Sequence, residues 1–556
     1  MLHLPTCKLP KVCSAIVLAF FFSACQKAVP QTQNLTPLPQ DPFVQVYFNH
    51  AQLSEYIEPY RPQKRSGDNL EKVLVDTIST AKSTVDVAVQ ELRLPKIAQA
   101  LVERQKAGVK VRIILENNYS RSWSTFTTNE ITKLPPREQE RYKEYRRLID
   151  QNEDEKLDVA EINQRDALVI LDNAKIPIID DTADGSAGSG LMHHKFVIVD
   201  RQKLIITSAN FTTSDIHGDL QNLNSLGNDN SLLKINSPEL AEVFTEEFNL
   251  MWGDGVGGKP DSKFGVKKPY RPVQIADLGT VNISVQFSPT SQKIPWSQST
   301  NGLIGKTLVK AKKAIDLALF VFSEQQLADI LETNHQRKVK IRTLIEPDFA
   351  YRYYSEGLDM MGVALVNDCK YEINNRPWQK PINTVGTPLL RKGDLLHHKF
   401  AVIDGKITIA GSHNWSEAAN TNNDETLVII KSPKVAAHFQ REFDRLYGDA
   451  QLGLPERIKQ KIKTQKQQCP QIETVSKPIT ESSNSPRIPA VENIQKVNLN
   501  TATQEEIESL PGIGPKLAQE IIKARQEKPF TSLEDLDRVP GIGSRLLEKL
   551  KDRVTW

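Results

Sequence analysis

Hydrophobic positions follow one pattern twice along residues 41–455. The corresponding segments are VQVYFN from Val44 with ISVQFSP from Ile283, TAKSTVDVAVQ (80–90) with KAKKAIDLALF (310–320), and GVKVRIILE (108–116) with KVKIRTLIEPD (338–348). Apolar, β-branched runs that alternate with helix-period stretches predict strand–helix–strand units. An internal repeat of such units predicts two tandem α/β sandwich halves, the first at 41–255 and the second at 281–455, joined by a linker at 256–280.

Each copy is also predicted to contain a further buried strand and a closing helix. The runs LVIL (168–171) and VALV (363–366) have the length and composition of buried strands. Aromatic residues recur at i, i+4 and i+8 near the end of each copy, and this spacing predicts the core-facing stripe of an amphipathic helix. These residues are Phe244, Phe248 and Trp252 in the first copy and Phe439, Phe443 and Tyr447 in the second.

The first copy contains an extra segment, PPREQERYKEYRRLIDQNEDEK (135–156), which precedes the H-x-K-x4-D motif described below. Its mixed charges predict a solvated surface helix without a functional role.

Length and composition place the chain among globular proteins. A chain of 556 residues predicts three or four domains. Charged residues make up 25% and apolar residues 39%, which excludes collagenous, wholly disordered and multi-spanning membrane chains. The formal net charge of +3 gives no support by itself to a nucleic-acid partner.

The N-terminus predicts export. Lys8 and Lys11 precede a short apolar run, too short to span a membrane but typical of a secretory signal. The run ends in Ser23-Ala24-Cys25, which resembles a lipobox and predicts a signal at 1–25 with lipidation of Cys25. A plain signal peptide is the alternative. Residues 26–40 would then form a tether, and the protein would be a membrane-anchored lipoprotein, periplasmic or at the cell surface.

Two cysteines remain in the predicted body and tail. Cys369 and Cys469 are far apart in sequence and match no zinc-site spacing. Whether they form a disulfide is open.

Both copies contain the motif H-x-K-x4-D. In the first copy it consists of His193, Lys195 and Asp200, and in the second of His397, Lys399 and Asp404. A second element follows each motif: Ser208 with Asn210, and Ser412 with Asn414. Residues i and i+2 of a strand share a face, so each copy presents an imidazole, an ammonium, a hydroxyl and an amide together. Two such sets facing one another suit a phosphodiester.

These paired motifs resemble the HKD signature of the phospholipase D superfamily. The resemblance implies a two-step mechanism through a covalent phosphohistidine, without a metal or other cofactor. It implies His193 as the nucleophile and His397 as the general acid and base, with Asp200 and Asp404 in structural or orienting positions. The neighbouring His194, His398 and His413 lie outside the motif, and we interpret them as core residues.

Members of this superfamily often have a downstream Glu that supports a catalytic His. Glu425 fits this position in the second copy, whereas the first copy has Asn230 there. An amide does not stabilise an imidazolium as a carboxylate does, so the two catalytic histidines are expected to differ in basicity.

The C-terminal region predicts a linker and a small all-α domain. Residues 456–495 begin with a basic run and continue rich in Pro, Ser and Thr, which predicts disorder. Residues 496–556 contain two P-G-I-G turns, each preceded by a capping box (Thr503 with Glu506, Thr531 with Glu534) and followed by a helix. They resemble the tandem helix-hairpin-helix of bacterial competence DNA-receptor proteins. The residues expected to contact a nucleic-acid backbone without sequence preference are Gly512, Gly514, Lys516, Gly541, Gly543 and Arg545.

Three functions follow from these features. The first is a nuclease, with substrate held by the C-terminal domain. The second is a phospholipase D or transphosphatidylase on membrane phospholipid, which the predicted anchor favours. The third is a DNA-capture protein without catalysis, against which both complete motifs argue. Because one chain contains both motifs, a monomer is expected to be complete.

Overall fold

The computed structural model describes residues 35–186, 190–372, 374–469, 497–508, 510, 513–543, 546–547, 550 and 553–556. The predicted signal, most of the predicted tether and Cys25, the predicted lipidation site, lie outside the described residues. None of the helices in the described part has the length and apolarity needed to cross a bilayer.

The first half is built on a seven-stranded sheet of order β1-β9-β8-β7-β4-β5-β6. Its strands are β1 (Val44–Phe48), β2 (Glu55–Ile57), β3 (Lys64–Ser66), β4 (Thr84–Val89), β5 (Lys110–Leu115), β6 (Ile178–Asp180), β7 (Lys195–Val199), β8 (Lys203–Thr207) and β9 (Ser231–Asn236), of which β2 and β3 form a separate hairpin. Its helices are α1 (Leu70–Ser79), α2 (Pro95–Lys106), α3 (Thr128–Thr132), α4 (Pro136–Ile149), α5 (Val159–Arg165), α6 (Ala167–Asn173), α7 (Thr213–Ile216) and α8 (Pro238–Trp252).

The second half repeats this plan with a nine-stranded sheet of order β10-β11-β19-β17-β16-β12-β14-β15-β20. Its strands are β10 (Gln274–Asp277), β11 (Asn282–Phe287), β12 (Ala314–Leu319), β13 (Phe322–Ser323), β14 (Lys340–Ile345), β15 (Val385–Thr387), β16 (Lys399–Ile403), β17 (Ile407–Gly411), β18 (Trp415–Ser416), β19 (Thr426–Lys431) and β20 (Gln451–Leu452). Its helices are α9 (Thr300–Leu308), α10 (Gln325–Gln336), α11 (Pro347–Ala350), α12 (Glu356–Met360), α13 (Glu417–Thr421), α14 (Pro433–Gly448) and α15 (Glu456–Gln468).

Both sheets are covered on their two faces, as the repeated pattern predicts. A central core joins the halves and contains Phe196 and Phe244 from the first together with Phe400 and Phe439 from the second. The outer face of each sheet packs under its own helices in a separate core. The aromatic stripes of α8 and α14 therefore serve packing, and the predicted α/β architecture is confirmed.

Two runs predicted as buried strands differ from the structure. Residues 168–171 lie in the helix α6, because the Asp166 carboxylate accepts from the Leu168 and Val169 backbone N–H groups and so begins a helix. Residues 363–366 form no strand. Four apolar residues fit a buried strand and one buried helical turn equally well.

The segment 256–280, predicted as a linker, is partly built into the fold. Gln274–Asp277 form the edge strand β10, and Phe264 is 3% exposed in the central core. The Gly265 backbone N–H donates to Asp424 at 2.9 Å, and Lys268 forms an ion pair with Asp424 at 2.7 Å.

The start of the segment 456–495, predicted to be disordered, belongs to the second half. Residues Glu456–Gln468 form α15, whose Ile458 is buried in the second-half core. A disulfide between Cys369 and Cys469 closes its C-terminal end. The sequence left this pairing open, and residues 470–496 lie outside the described part.

The C-terminal region has a core of its own, which includes Ile513, Ile521 and Ile542. Its described elements are β21 (Val497–Asn498), β22 (Val554–Thr555), α16 (Gln504–Glu508) and α17 (Pro515–Glu527). The Thr503–Glu506 capping box is present. At the second site Thr531 bonds to Asp535, and the side chain of Glu534, its predicted partner, lies outside the described part.

Candidate functional site

The two HKD motifs begin equivalent central strands. In the first half, β7 starts at Lys195, and the Lys195 ammonium donates to Gln90 Oε1 at 3.1 Å and to the His193 carbonyl at 3.0 Å. In the second half, β16 starts at Lys399, whose ammonium donates to the His397 carbonyl at 2.6 Å. Each lysine is thus fixed next to the histidine of its own motif.

The serine and asparagine predicted to follow each motif lie at the same site or directly behind it. Asn210 and Asn414 line one cavity together with His193 and His397. The side-chain oxygens of both asparagines are buried without a hydrogen-bond partner. Ser208 and Ser412 lie one layer behind, since their hydroxyls donate to Asn230 at 2.7 Å and Glu425 at 2.6 Å respectively.

Each catalytic histidine is supported by the opposite half. His193 N–H bonds the Asp424 carbonyl at 2.9 Å, and its Nδ1 lies 2.7 Å from Glu425 Oε2. His397 N–H bonds the Asp229 carbonyl at 3.1 Å, and its Nδ1 lies 3.0 Å from Asn230 Oδ1. The carboxylate predicted in the second copy therefore serves the first-half histidine. The sequence identified the positions of Glu425 and Asn230, but it did not show that each of them supports the histidine of the other half.

Asp215 is a site residue that the sequence did not reveal. It is 4% exposed and accepts from the Asn210 backbone N–H at 2.8 Å and from Asn228 Nδ2 at 2.5 Å. Its Oδ1 lies 3.9 Å from His397 Nδ1. It thus supplies a carboxylate close to the histidine whose direct partner is only an amide.

Burial and mutual repulsion control protonation in the site. Burial lowers the pKa of His193 well below its usual value, and repulsion from the Lys195 and Lys399 ammoniums adds to this effect. The same causes lower the pKa of His397 well below its usual value. Burial also lowers the pKa of Lys195 to about 8, although Glu425 and Asp215 counteract it. Both imidazoles are therefore neutral without a bound anion. Because Glu425 and the Asn230 oxygen accept at Nδ1, each histidine presents an unprotonated Nε2.

The cavity that contains this site has a volume of about 720 Å³ and is lined by both halves. Its walls carry the guanidinium groups of Arg93, Arg137, Arg141 and Arg352. The cavity is also lined by the aromatic side chains of Tyr119, Trp123, Phe320 and Phe349. Phe320 contacts both catalytic groups of the second half: its ring centroid is 4.9 Å from the His397 ring and 4.7 Å from Lys399 Nζ.

The charged insertion of the first half forms one wall of this cavity. Segment 135–156 contains α4, and Arg137, Glu138, Arg141, Glu144 and Tyr145 of this helix line the cavity. Arg141 forms a close ion pair with the buried Glu91. The predicted surface helix is therefore present, but one of its sides packs against the cavity and is not solvated. The sequence could not show this packing, because Glu91, the ion-pair partner of Arg141, lies in a distant segment of the chain.

Asp200 and Asp404 lie at the far ends of their strands. The Asp200 carboxylate accepts from the backbone N–H groups of Lys82, Ser83 and Thr84 at 2.7 to 3.0 Å. Asp404 accepts from those of Lys312, Lys313 and Ala314 at 2.7 to 2.9 Å. Both aspartates hold the loop before β4 or β12, which agrees with a structural position and not with a reacting one.

The remaining motif-adjacent histidines are core residues, as interpreted from the sequence. His194 and His398 pair with Glu247 and Glu442 at 3.1 and 3.0 Å, and His413 bonds Thr300 at 2.8 Å. Among the described residues one cluster, Asp229 with His398 and Glu442, has ligand atoms close enough for a metal. Arg445 donates to both of its carboxylates, so this cluster is an ion-pair network.

Four of the tail residues expected to contact nucleic acid, Gly514, Lys516, Gly541 and Gly543, are described and exposed. Gly514 caps α17, and the exposed Lys516 follows in the first turn of that helix. Gly541 has a φ of 97°, a left-handed conformation that favours glycine, and Gly543 is exposed after it. Gly512 and Arg545 lie outside the described residues.

Comparison with known families gives two matches. The family described as cardiolipin synthase, PLD-like domain, matches residues 74–252 and 304–447, and a helix-hairpin-helix motif matches residues 492–555. Similar curated proteins include the mitochondrial cardiolipin hydrolases of Mus musculus (29% identical over 156 residues) and Xenopus laevis (27% over 186 residues). These matches cover 28% and 33% of this chain, and 61% and 78% of those proteins.

Similar solved structures include a phosphatidylserine synthase from Haemophilus influenzae Rd KW20, with 12% identity and a TM-score of 0.44 over 75% of this chain and 92% of that one. NucT from Helicobacter pylori is 18% identical with a TM-score of 0.24 over 31% of this chain and 99% of that one. Since the family match spans more than half of the chain and includes both HKD motifs, the chain belongs to the PLD-like domain family of the phospholipase D superfamily, a family of phosphodiesterases, and carries a C-terminal helix-hairpin-helix motif.

Proposed function

We propose that this protein is a nuclease that hydrolyses phosphodiester bonds through a phosphohistidine intermediate. The observation that carries the proposal is one cavity lined by both catalytic histidines and four guanidinium groups, in a chain that also contains a helix-hairpin-helix motif. Buried lysines and guanidiniums suit the phosphates of a polyanion.

In the first step, His193 is the nucleophile. Its Nδ1–H donates to Glu425, so the Nε2 lone pair attacks phosphorus and a P–N bond forms. Lys195, Lys399 and the two asparagines neutralise and orient the non-bridging oxygens. The substrate's negative charge favours protonation of His397, which gives its proton to the leaving oxygen as the P–O bond breaks.

In the second step, His397 acts as the base. Neutral after the first step, it takes a proton from water, whose oxygen attacks phosphorus. The P–N bond breaks, and its electron pair returns to His193 Nε2. The products are a phosphate monoester and an alcohol, with both histidines available for another cycle.

The walls of the cavity support nucleic acid as substrate. Two of its arginines lie over aromatic rings, Arg93 over Trp123 and Arg141 over Tyr119, and such groups suit phosphates and stacked bases. The exposed turns of the tail suit contact with a sugar-phosphate backbone. A tethered tail would raise the local concentration of substrate at the cavity.

Membrane phospholipid is the second candidate substrate. The description of the matching family and the names of the similar curated proteins both refer to cardiolipin, which favours this alternative. A phosphodiester in a lipid headgroup would meet the same histidines and lysines.

The test compares substrates with one protein. Mature protein, residues 26–556, is assayed in EDTA on single- and double-stranded DNA, on RNA, and on vesicles of phosphatidylcholine and of cardiolipin, with His193→Ala as the matched control. DNA or RNA cleavage that is lost in the variant supports the nuclease. Lipid cleavage with intact nucleic acid overturns it, and DNA binding without any cleavage supports the capture protein.

We further propose that the protein is exported and acts as a monomer. The Cys369–Cys469 disulfide supports export, since such bonds persist in oxidising compartments. The presence of both motifs in one chain supports a monomer. Metabolic labelling with a fatty acid, compared between wild type and Cys25→Ala, tests the lipid anchor.

A further inference from the structure

A second chamber of the second half lies apart from the catalytic cavity and shares no lining residue with it. It has a volume of about 1360 Å³ and is lined by residues of α10 and α13, by Ser299 at the N-cap of α9, and by residues on either side of Arg376. Its lining carboxylates are Glu324, Asp329, Glu332, Glu356, Glu372 and Glu417. Arg376 is the only lysine or arginine among the lining residues, and it pairs with Asp329 at 2.6 Å and Glu332 at 3.6 Å.

One buried carboxylate in this chamber has no partner in the part of the chain that the structure describes. Glu356 is 4% exposed, lines the chamber, and forms no hydrogen bond or ion pair with the described residues. Its neighbours increase the repulsion: burial, followed by Asp359 and Glu372, raises the pKa of Glu356 well above its usual value. A buried carboxyl next to other carboxyls stays protonated unless a nearby cation stabilises its charged form.

The arrangement of the carboxylates distinguishes between cations. Among the described residues, no three metal-type ligand atoms in this chamber lie within 4.8 Å of one another. The negative charge is therefore spread along the chamber instead of converging on one point. The walls also contain Trp296, Ile294 and Pro377, which suit methylene groups, and several Gln and Asn side chains.

We propose that this chamber binds a linear aliphatic polyamine, with its ammonium groups at the carboxylates and its methylene groups along the apolar wall. Spaced ammoniums match spaced carboxylates, and Glu356 receives a partner that the described residues do not supply. The proposal does not depend on the substrate of the catalytic cavity.

The pH dependence of binding follows from the groups that face one another in the chamber. Burial, followed by Asp359 and Glu417, raises the pKa of Glu372 to about 7. Burial raises the pKa of Asp359, behind the chamber wall, to about 6. The other charged groups facing this cluster are Glu324, Asp329, Glu332, Glu356, Glu417 and Arg376. Because carboxyls bind ammonium only when ionised, affinity should rise between pH 6 and pH 8.

The experiment titrates spermidine into the mature full chain by calorimetry at pH 8, with Mg²⁺ in a parallel titration. The test variant is Glu356→Gln with Glu372→Gln, and the matched control is Glu103→Gln, an exposed carboxylate in α2. We expect spermidine to bind wild type and control alike and the test variant at least about tenfold more weakly, since hydrogen bonds to charged groups are lost.

Thermal unfolding provides the second readout. Without spermidine the test variant should be at least as stable as wild type, because repulsion is removed, and spermidine should no longer raise its Tm. If the double variant fails to fold, Glu372→Gln alone is tested, since this side chain is only half-buried. Equal spermidine affinity in variant and wild type, no binding by wild type, or tighter binding of Mg²⁺ than spermidine would overturn the proposal.

Discussion

The Glu425 carboxylate should be essential for the reactivity of His193, although it belongs to the other half. It accepts from His193 Nδ1 at 2.7 Å and from the Ser412 hydroxyl at 2.6 Å. Glu425→Gln keeps the shape but removes the charge. The new amide can donate to Nδ1, which moves the imidazole proton to Nε2 and blocks the attacking lone pair.

The magnitude follows from these contacts. A hydrogen bond to a charged group contributes about 1.5–3 kcal/mol, which corresponds to roughly 10- to 150-fold in rate. A wrong tautomer adds to this loss, and in a Ser-His-Asp triad it lowers kcat about 10⁴-fold. We therefore expect Glu425→Gln to lower kcat by about 10² to 10⁴.

The assay uses hydrolysis of bis(p-nitrophenyl) phosphate, so it does not depend on the natural substrate. Ser412→Ala is the matched control, because it removes the hydroxyl that donates to Glu425 and leaves the charge of the carboxylate in place. We expect that control to lose less than about tenfold. The acidic limb of the kcat profile should move to lower pH in Glu425→Gln, since the imidazolium loses its counter-ion. A folded Glu425→Gln protein with more than a third of wild-type kcat would refute the reasoning.

Three further predictions concern charge and stability. Because the pKa of Lys195 is lowered to about 8, its ammonium is lost above that pH, and KM for bis(p-nitrophenyl) phosphate should rise between pH 7 and pH 9; a flat KM profile would contradict this. Asp200→Ala should lower the free energy of unfolding in urea by about 1–3 kcal/mol and leave kcat within about twofold; a large loss of kcat at unchanged stability would place Asp200 in the reaction. The disulfide spans a sequence separation of 100, so its reduction should destabilise the body by up to about 4.7 kcal/mol; identical urea midpoints with and without reductant would argue against the bond.

The sequence predicted the features that depend on local periodicity. The repeat, the closing helices α8 and α14, and the strands that begin just after His193 and His397 all follow from apolar spacing and are present in the structure. Short apolar runs such as 168–171 failed, because a four-residue run does not distinguish a strand from a helical turn.

The features that depend on contacts between distant segments could not be predicted. Glu425 lies 232 residues from His193, and only the packing of one half on the other brings them together. Asp215 has no motif, and its importance depends on Asn210 and His397 lying beside it. The insertion helix α4 has a typical surface composition, yet it forms a wall of the cavity.

The most direct test of the account is to trap the covalent intermediate. The protein is mixed with bis(p-nitrophenyl) phosphate, quenched in alkali to preserve phosphohistidine, digested and analysed by mass spectrometry, with His397→Ala included to slow the second step. Because one p-nitrophenolate leaves in the first step, the account predicts a p-nitrophenylphosphoryl group on His193. Phosphorylation of His397 in the wild-type protein, or turnover without phosphohistidine on either residue, would contradict it.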